Sequence, residues 1–118
     1  MTRAMFLNRV YDYEHDSGQW CYRGEEPCVI DSYASWCMPC RVMMPLVEEL
    51  AEEYRGRVKF YKVNIEHETE LASRFGIRGV PTLLFVPMCG APTFSTGVIS
   101  RAAFQSKIEE QLLKVKCY

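Results

Sequence analysis

Apolar residues recur with two distinct periods along the chain, and the alternation between them sketches an architecture. Phe6, Leu7, Val10, Tyr11 and Tyr13 follow a helical spacing, so residues 3–14 read as an amphipathic helix. Asp16-Ser17-Gly18 signals a turn, and residues 19–23 a short edge strand. Gly24-Glu25-Glu26-Pro27 turns the chain again. Residues 28–35 are a dense run, Cys-Val-Ile-Asp-Ser-Tyr-Ala-Ser, that reads as a central strand with one charge inside it.

The clearest helix is expected over 38–54. Met43, Leu46, Val47, Leu50, Ala51 and Tyr54 fall on one stripe, and Glu48, Glu49, Glu52 and Glu53 fall mainly on the wet side. Gly56 closes it. A strand follows at 58–65, then a short helix at 67–75 with Leu71, Ala72 and Phe75 inward and Gly76 as its stop. Residues 82–86 form a strand, Pro87-Met88-Cys89-Gly90 a turn, and 92–98 the next strand. A last helix spans 100–114, with Ser100 as N-cap and Phe104, Ile108 and Leu112 on one face. Strands separated by helices imply parallel pairs, and the last two strands imply an antiparallel hairpin. The expected fold is α/β: a central mixed sheet with helices on both faces.

Length and charge narrow the function. The 118 residues suit one domain, and 48% apolar content can build a core. A net charge of −1 offers no electrostatic footprint for nucleic acid. No stretch approaches the roughly 18 apolar residues of a membrane span, so no membrane insertion is expected. The first ten residues carry no signal-peptide core, which points to the cytoplasm; a leader removed beforehand would make the compartment periplasmic.

Six cysteines are many for this length: Cys21, Cys28, Cys37, Cys40, Cys89 and Cys117. One pair alone has a motif spacing, Cys37-Met38-Pro39-Cys40. A zinc site needs more partners than His15 and His67 supply, so no metal is expected. The other four cysteines read as buried or incidental thiols. The motif falls where a buried strand ends and a helix begins. Unpaired N–H groups and the positive end of the helix dipole there favour a thiolate, which makes Cys37 the nucleophile. Cys40, one helical turn on, reaches its sulfur from a position expected to be more buried. Pro39 fits the first turn, where its missing donor costs nothing. Cys37 would attack a disulfide in a partner protein, and Cys40 would resolve the mixed disulfide. The second step needs a base. Asp31, buried six residues before Cys37, is the candidate, its carboxyl pushed upward by burial. Lys62 could pair with Asp31 and tune it; a lysine with its head in solvent is the plain alternative.

These residues resemble the thioredoxin family over roughly 28–114. The resemblance rests on Asp31, Trp36-Cys37-x-Pro39-Cys40, Pro45 inside the following helix, Lys62, Gly76-Ile77-Arg78-Gly79-Val80-Pro81-Thr82, and the hairpin glycines Gly90 and Gly97. It implies one thioredoxin domain over 1–118 with an atypical segment at 1–27. It implies a cis bond between Val80 and Pro81, and an apolar surface of Trp36, Met38, Pro39, Gly79, Val80 and Pro81 that docks an extended substrate. It also implies a monomer that uses no bound cofactor and draws electrons from a thioredoxin-reductase-like protein or a membrane thiol carrier. Val80 before the proline is similar to reducing members. Three features depart from the family pattern: Met38 stands in place of the usual glycine, Ser32-Tyr33 replaces a pair of aromatics, and the first 27 residues match poorly. Met38 keeps a thiol oxidase or disulfide isomerase as an alternative. A non-catalytic binding module of the same fold is the other, and the intact cysteine pair with Asp31 argues against it.

Overall fold

The structure is a computed structural model that describes residues 1–9 and 24–115. Five elements make up the middle of the chain: β1 (Cys28–Tyr33), α2 (Met38–Glu53), β2 (Lys59–Asn64), α3 (Thr69–Arg74) and β3 (Thr82–Val86). Before them comes α1 (Arg3–Arg9); after them come β4 (Thr93–Thr96) and α4 (Arg101–Ile108), which runs on as a π-helical turn over Glu109–Leu113. The expected α1 continuation to residue 14 and the edge strand at 19–23 lie outside the described residues.

The described strands form one sheet in the order β2-β1-β3-β4. β1 and β2 are parallel, with Asp31 opposite Lys62. β3 is antiparallel to both β1 and β4. The sheet is therefore mixed, as expected, but the helix between β2 and β3 does not create a parallel pair. Length explains this. Six residues of helix advance about 9 Å, while a six-residue strand covers about 20 Å. α3 cannot carry the chain back to the start of the sheet, so β3 begins near the end where β2 finished.

Alternation along the strands sends their side chains to two cores. On one face Val29, Leu83 and Phe85 pack under Met43, Val47, Leu50 and Tyr54 of α2 and Phe104 and Ile108 of α4. The Phe85 and Phe104 rings meet edge to face at 5.8 Å. On the other face Cys28, Ile30, Leu84 and Val86 pack with Phe6 of α1 and Leu71 of α3. Helices thus cover both faces, and β1 and β3 are buried almost throughout.

The helix ends follow their local chemistry. Ser100 Oγ accepts the Ala103 N–H at 3.1 Å, the cap its position predicts. α3 ends in a glycine-dependent cap: Ile77 N–H reaches the Ala72 carbonyl at 3.0 Å and Gly76 N–H the Ser73 carbonyl at 3.2 Å. Gly76 has φ +62°, a conformation that costs a side-chain-bearing residue energy. The turn launches residues 77–81 toward the end of β1.

Candidate active site

Three pieces of chain meet at the end of β1: the turn leading into α2, the first turn of α2, and the loop before β3. Cys37 is the N-cap of α2. Its Sγ accepts the Cys40 N–H at 3.1 Å, so one orphan donor of the helix start points at the sulfur. Cys37 and Cys40 are joined as a disulfide with their Cα atoms 5.3 Å apart. Pro39 lies in the first turn of the helix, where no donor is lost. Pro45 lies inside the helix, and α2 continues through it to Glu53.

Both sulfur-bearing residues are buried in this oxidised form, Cys37 at 2% exposure and Cys40 at 4%. The expectation that Cys40 would be the more hidden of the two does not hold here. Sealing of the pair is shared, because Ala34, Tyr33, Ile65 and Val80 close around it. The neighbours Trp36 and Met38 are 69% and 65% exposed, and Val42 one turn on is 64% exposed. Pro39 is exposed, and Gly79 and Val80 are half-buried. The bond between Val80 and Pro81 is cis, as the resemblance implied. The loop is fixed by its own polar groups. The Thr82 hydroxyl donates to the Gly79 carbonyl at 2.6 Å, and Gly97 N–H donates to the Pro81 carbonyl at 2.8 Å.

Asp31 is on β1, on the same face as Val29, and therefore lies under α2. It is 3% exposed, and its Oδ1 has no hydrogen-bond partner among the described residues. Burial raises its carboxyl from 3.8 to about 6, against a smaller downward pull from the charge of Lys62. Lys62 faces the same side but does not pair with Asp31. Its Nζ lies 3.4 Å from Glu48 Oε1 on α2. Of the two readings open for Lys62, pairing with Asp31 is not made; the lysine acts on Asp31 through its charge across the ladder. The lysine takes the more solvated of two carboxylates, which spares it desolvation.

Two features escaped the sequence reading. Glu66, just beyond β2, accepts both the N–H and the hydroxyl of Ser35, at 2.7 and 2.8 Å. These bonds, the side-chain one foremost, hold its carboxyl below the usual range. Arg41 donates to the Ser35 carbonyl at 3.2 Å. The turn preceding Cys37 is therefore tied from two sides. No spacing rule links residues 35, 41 and 66, and only the fold brings them together. The second is Glu48, which the helical pattern assigned simply to a wet face. Cys89, read as an incidental thiol, is disulfide-bonded. Cys28 is fully buried in the second core.

Among the described residues no group of three His, Cys, Asp or Glu side chains could hold a metal ion, and no helix is long and apolar enough to cross a membrane.

A cystine at a helix start, beside a proline loop and above a buried carboxyl, on a mixed sheet covered on both faces, defines a protein-disulfide oxidoreductase. Comparison with known proteins agrees. The family model described as thioredoxin matches residues 17–110. Thioredoxin of Borreliella burgdorferi is 37% identical over 110 residues, 93% of this chain and 93% of that protein. Thioredoxin 1 of a Nostoc species is 34% identical, covering 73% of this chain and 80% of the relative; thioredoxin of a Synechocystis species is also 34% identical, covering 75% and 82%. The chain belongs to the thioredoxin family.

Proposed function

We propose that this chain reduces disulfides in partner proteins, with Cys37 as the attacking thiolate, Cys40 as the resolving thiol and Asp31 as the acceptor of the Cys40 proton. The observation that carries this reading is the Cys37–Cys40 bond at the N-terminus of α2. In the reduced protein the Cys40 N–H that now reaches Cys37 Sγ would stabilise negative charge on that sulfur.

The Cys37 thiolate attacks one sulfur of a partner's disulfide. That bond breaks, its second sulfur leaves as a thiolate, and a mixed disulfide forms. Cys40 then passes its proton to the Asp31 carboxylate and attacks Cys37 Sγ. The bond to the partner breaks, releasing its second thiolate. Two electrons have moved from the dithiol to the partner, and the Asp31 proton is returned to a product thiolate or to solvent. Asp31 suits this task because a carboxyl near pH 6 is a stronger base than a solvent-exposed one, yet still ionised at neutral pH.

Trp36, Met38, Pro39, Gly79 and Val80 form the docking surface, and Pro81, which is buried, fixes its backbone. The first three are exposed, Gly79 is half-buried, and Val80 packs against the cystine. An extended substrate segment would lie across them and pair with the backbone before Pro81. Lys62 acts on Asp31 only through its charge. Electrons come from a thioredoxin-reductase-like donor, and the chain works as a monomer.

Cys40→Ser tests the reading. Incubated with a disulfide-bearing protein such as insulin, this variant accumulates a mixed disulfide through Cys37, visible as a reducible band on gels. Failure to trap any partner, with Cys37 still alkylatable, would refute catalysis and leave the binding-module alternative. The direction of flow is read from the equilibrium potential of the pair. A strongly reducing value supports the reductase, and a markedly oxidising one turns the same chemistry into an oxidase or isomerase.

A further inference from the structure

Lys62 stands between two carboxylates. Asp31 is its direct neighbour in the parallel ladder. Glu48 approaches from α2, one helical turn beyond Met44, and takes the ammonium at 3.4 Å. Among the ion pairs of the described residues, Lys62 has this one and none with Asp31. The outcome follows from solvation. The Glu48 side chain is 63% exposed and that of Lys62 39%, so their pairing leaves both charges in water. Pairing with Asp31 would draw the ammonium to a carboxyl that is 3% exposed.

We propose that Glu48 is a positioning residue: by holding the Lys62 ammonium at the rim of the sheet, it keeps that charge off Asp31 and preserves Asp31 as a base for Cys40. This rests on the reading of Asp31 as the proton acceptor. Register places few groups beside Asp31: β2 supplies Lys62 and β3 the uncharged Leu83. α2, which covers this face of the sheet, carries Glu48, whose contact is with Lys62. Lys62 is thus the one cation set to act on Asp31 among the described residues, and Glu48 is the group that determines where its charge sits. A lysine released from Glu48 is free to spend part of its time nearer Asp31, within the limit that desolvation of the ammonium sets, and in that part it favours the carboxylate and weakens its hold on a proton. Burial still pushes the carboxyl upward, and the Glu48 contact limits how far Lys62 offsets that push.

The test uses the full chain in its oxidised form, with the Asp31 side-chain carboxyl followed by carbon NMR across pH. Four proteins are compared: the natural chain, Glu48→Gln, Lys62→Met and the double variant. Glu48→Gln is expected to lower the Asp31 midpoint by about half a pH unit, the most that an exposed ion pair can supply. Part of any fall could come from losing the negative charge of Glu48 itself, which needs no lysine. The double variant separates the two, because in the Lys62→Met background the same substitution is expected to move the midpoint less than half as far. An unmoved midpoint in Glu48→Gln, or an equal shift with and without Lys62, overturns the proposal. The reduced chain gives the kinetic counterpart: resolution of a preformed mixed disulfide slows by about twofold in Glu48→Gln at pH 7, because Asp31 has become a weaker base. A resolution rate that ignores Asp31→Asn would remove the role of Asp31 itself. The NMR shifts would then still report whether Glu48 holds Lys62, so the two failures are distinguishable.

Discussion

A buried carboxyl that prefers its proton links Asp31 to the stability of the whole chain. Its folded value of about 6 lies above its ordinary value of 3.8, so between about pH 4 and 6 the folded state binds more protons than the unfolded state. Stability therefore falls as pH rises through that window, and a difference of about two units corresponds to roughly 3 kcal/mol. Asp31→Asn is expected to unfold at higher urea than the natural protein at pH 8, by about 2–3 kcal/mol, with the advantage gone by pH 4. Equal urea midpoints at pH 8 would show that the carboxyl is not under strain. Ser32 presents a smaller case on the opposite face. Its hydroxyl is buried without a hydrogen-bond partner among the described residues, beside Phe6, Ile30, Leu71 and Leu84. Ser32→Ala should leave stability unchanged or raise it by about 1 kcal/mol in the same unfolding assay. The joining of Cys37 to Cys40 at a helix start and the burial of Asp31 could be read from residue type and position alone. The partner of Lys62 could not, because strand alternation says which face a side chain takes and nothing about which of two carboxylates it meets there.

Elements were the most legible scale where their ends carried local chemistry. Ser100 starts a helix and Gly76 stops one, where a side chain, or the lack of one, allows it. Ser100→Ala removes the acceptor of the Ala103 N–H and is expected to cost about 1 kcal/mol, measured as a lower urea midpoint with an unchanged slope. Short elements were placed with looser ends. The strand expected at 92–98 is ordered as strand over Thr93–Thr96, and the helix expected at 67–75 over Thr69–Arg74. The final helix changes character after Ile108, where Lys114 N–H reaches back five residues to the Glu109 carbonyl at 2.9 Å. Leu112 still reaches the core with Phe104 and Ile108, so the spacing of four marked the buried face without disclosing the wider turn. The direction of β3 was hidden for a similar reason. Periodicity identifies a helix between two strands, and the length of that helix decides whether it can cross the sheet.

At the scale of the molecule, α1 is docked by contacts that no periodicity within it reveals. Phe6 inserts against Phe75 at 4.9 Å between ring centres, Arg3 pairs with Glu70, and the Met1 ammonium donates to the Lys62 carbonyl. Phe6→Ala should cost about 3–4 kcal/mol and expose the α3 side of the sheet, read as a lower thermal midpoint and faster amide exchange in β1 and β3. The direction of β3 has a further consequence. It brings Gly79–Thr82 to the end of β1 across more than forty residues of intervening chain, with Ser32 and Thr82 as register partners. The cystine is local, and the wall around it is not. A nascent chain emerging as far as residue 60 already holds both sulfurs, the carboxyl and Trp36, Met38 and Pro39, yet lacks the Gly79–Pro81 loop that completes the surface on which partners are selected. Selectivity would arrive late in folding, after a long loop has closed. The half-made protein would be a thiol reagent, and only the completed sheet turns it into one that discriminates.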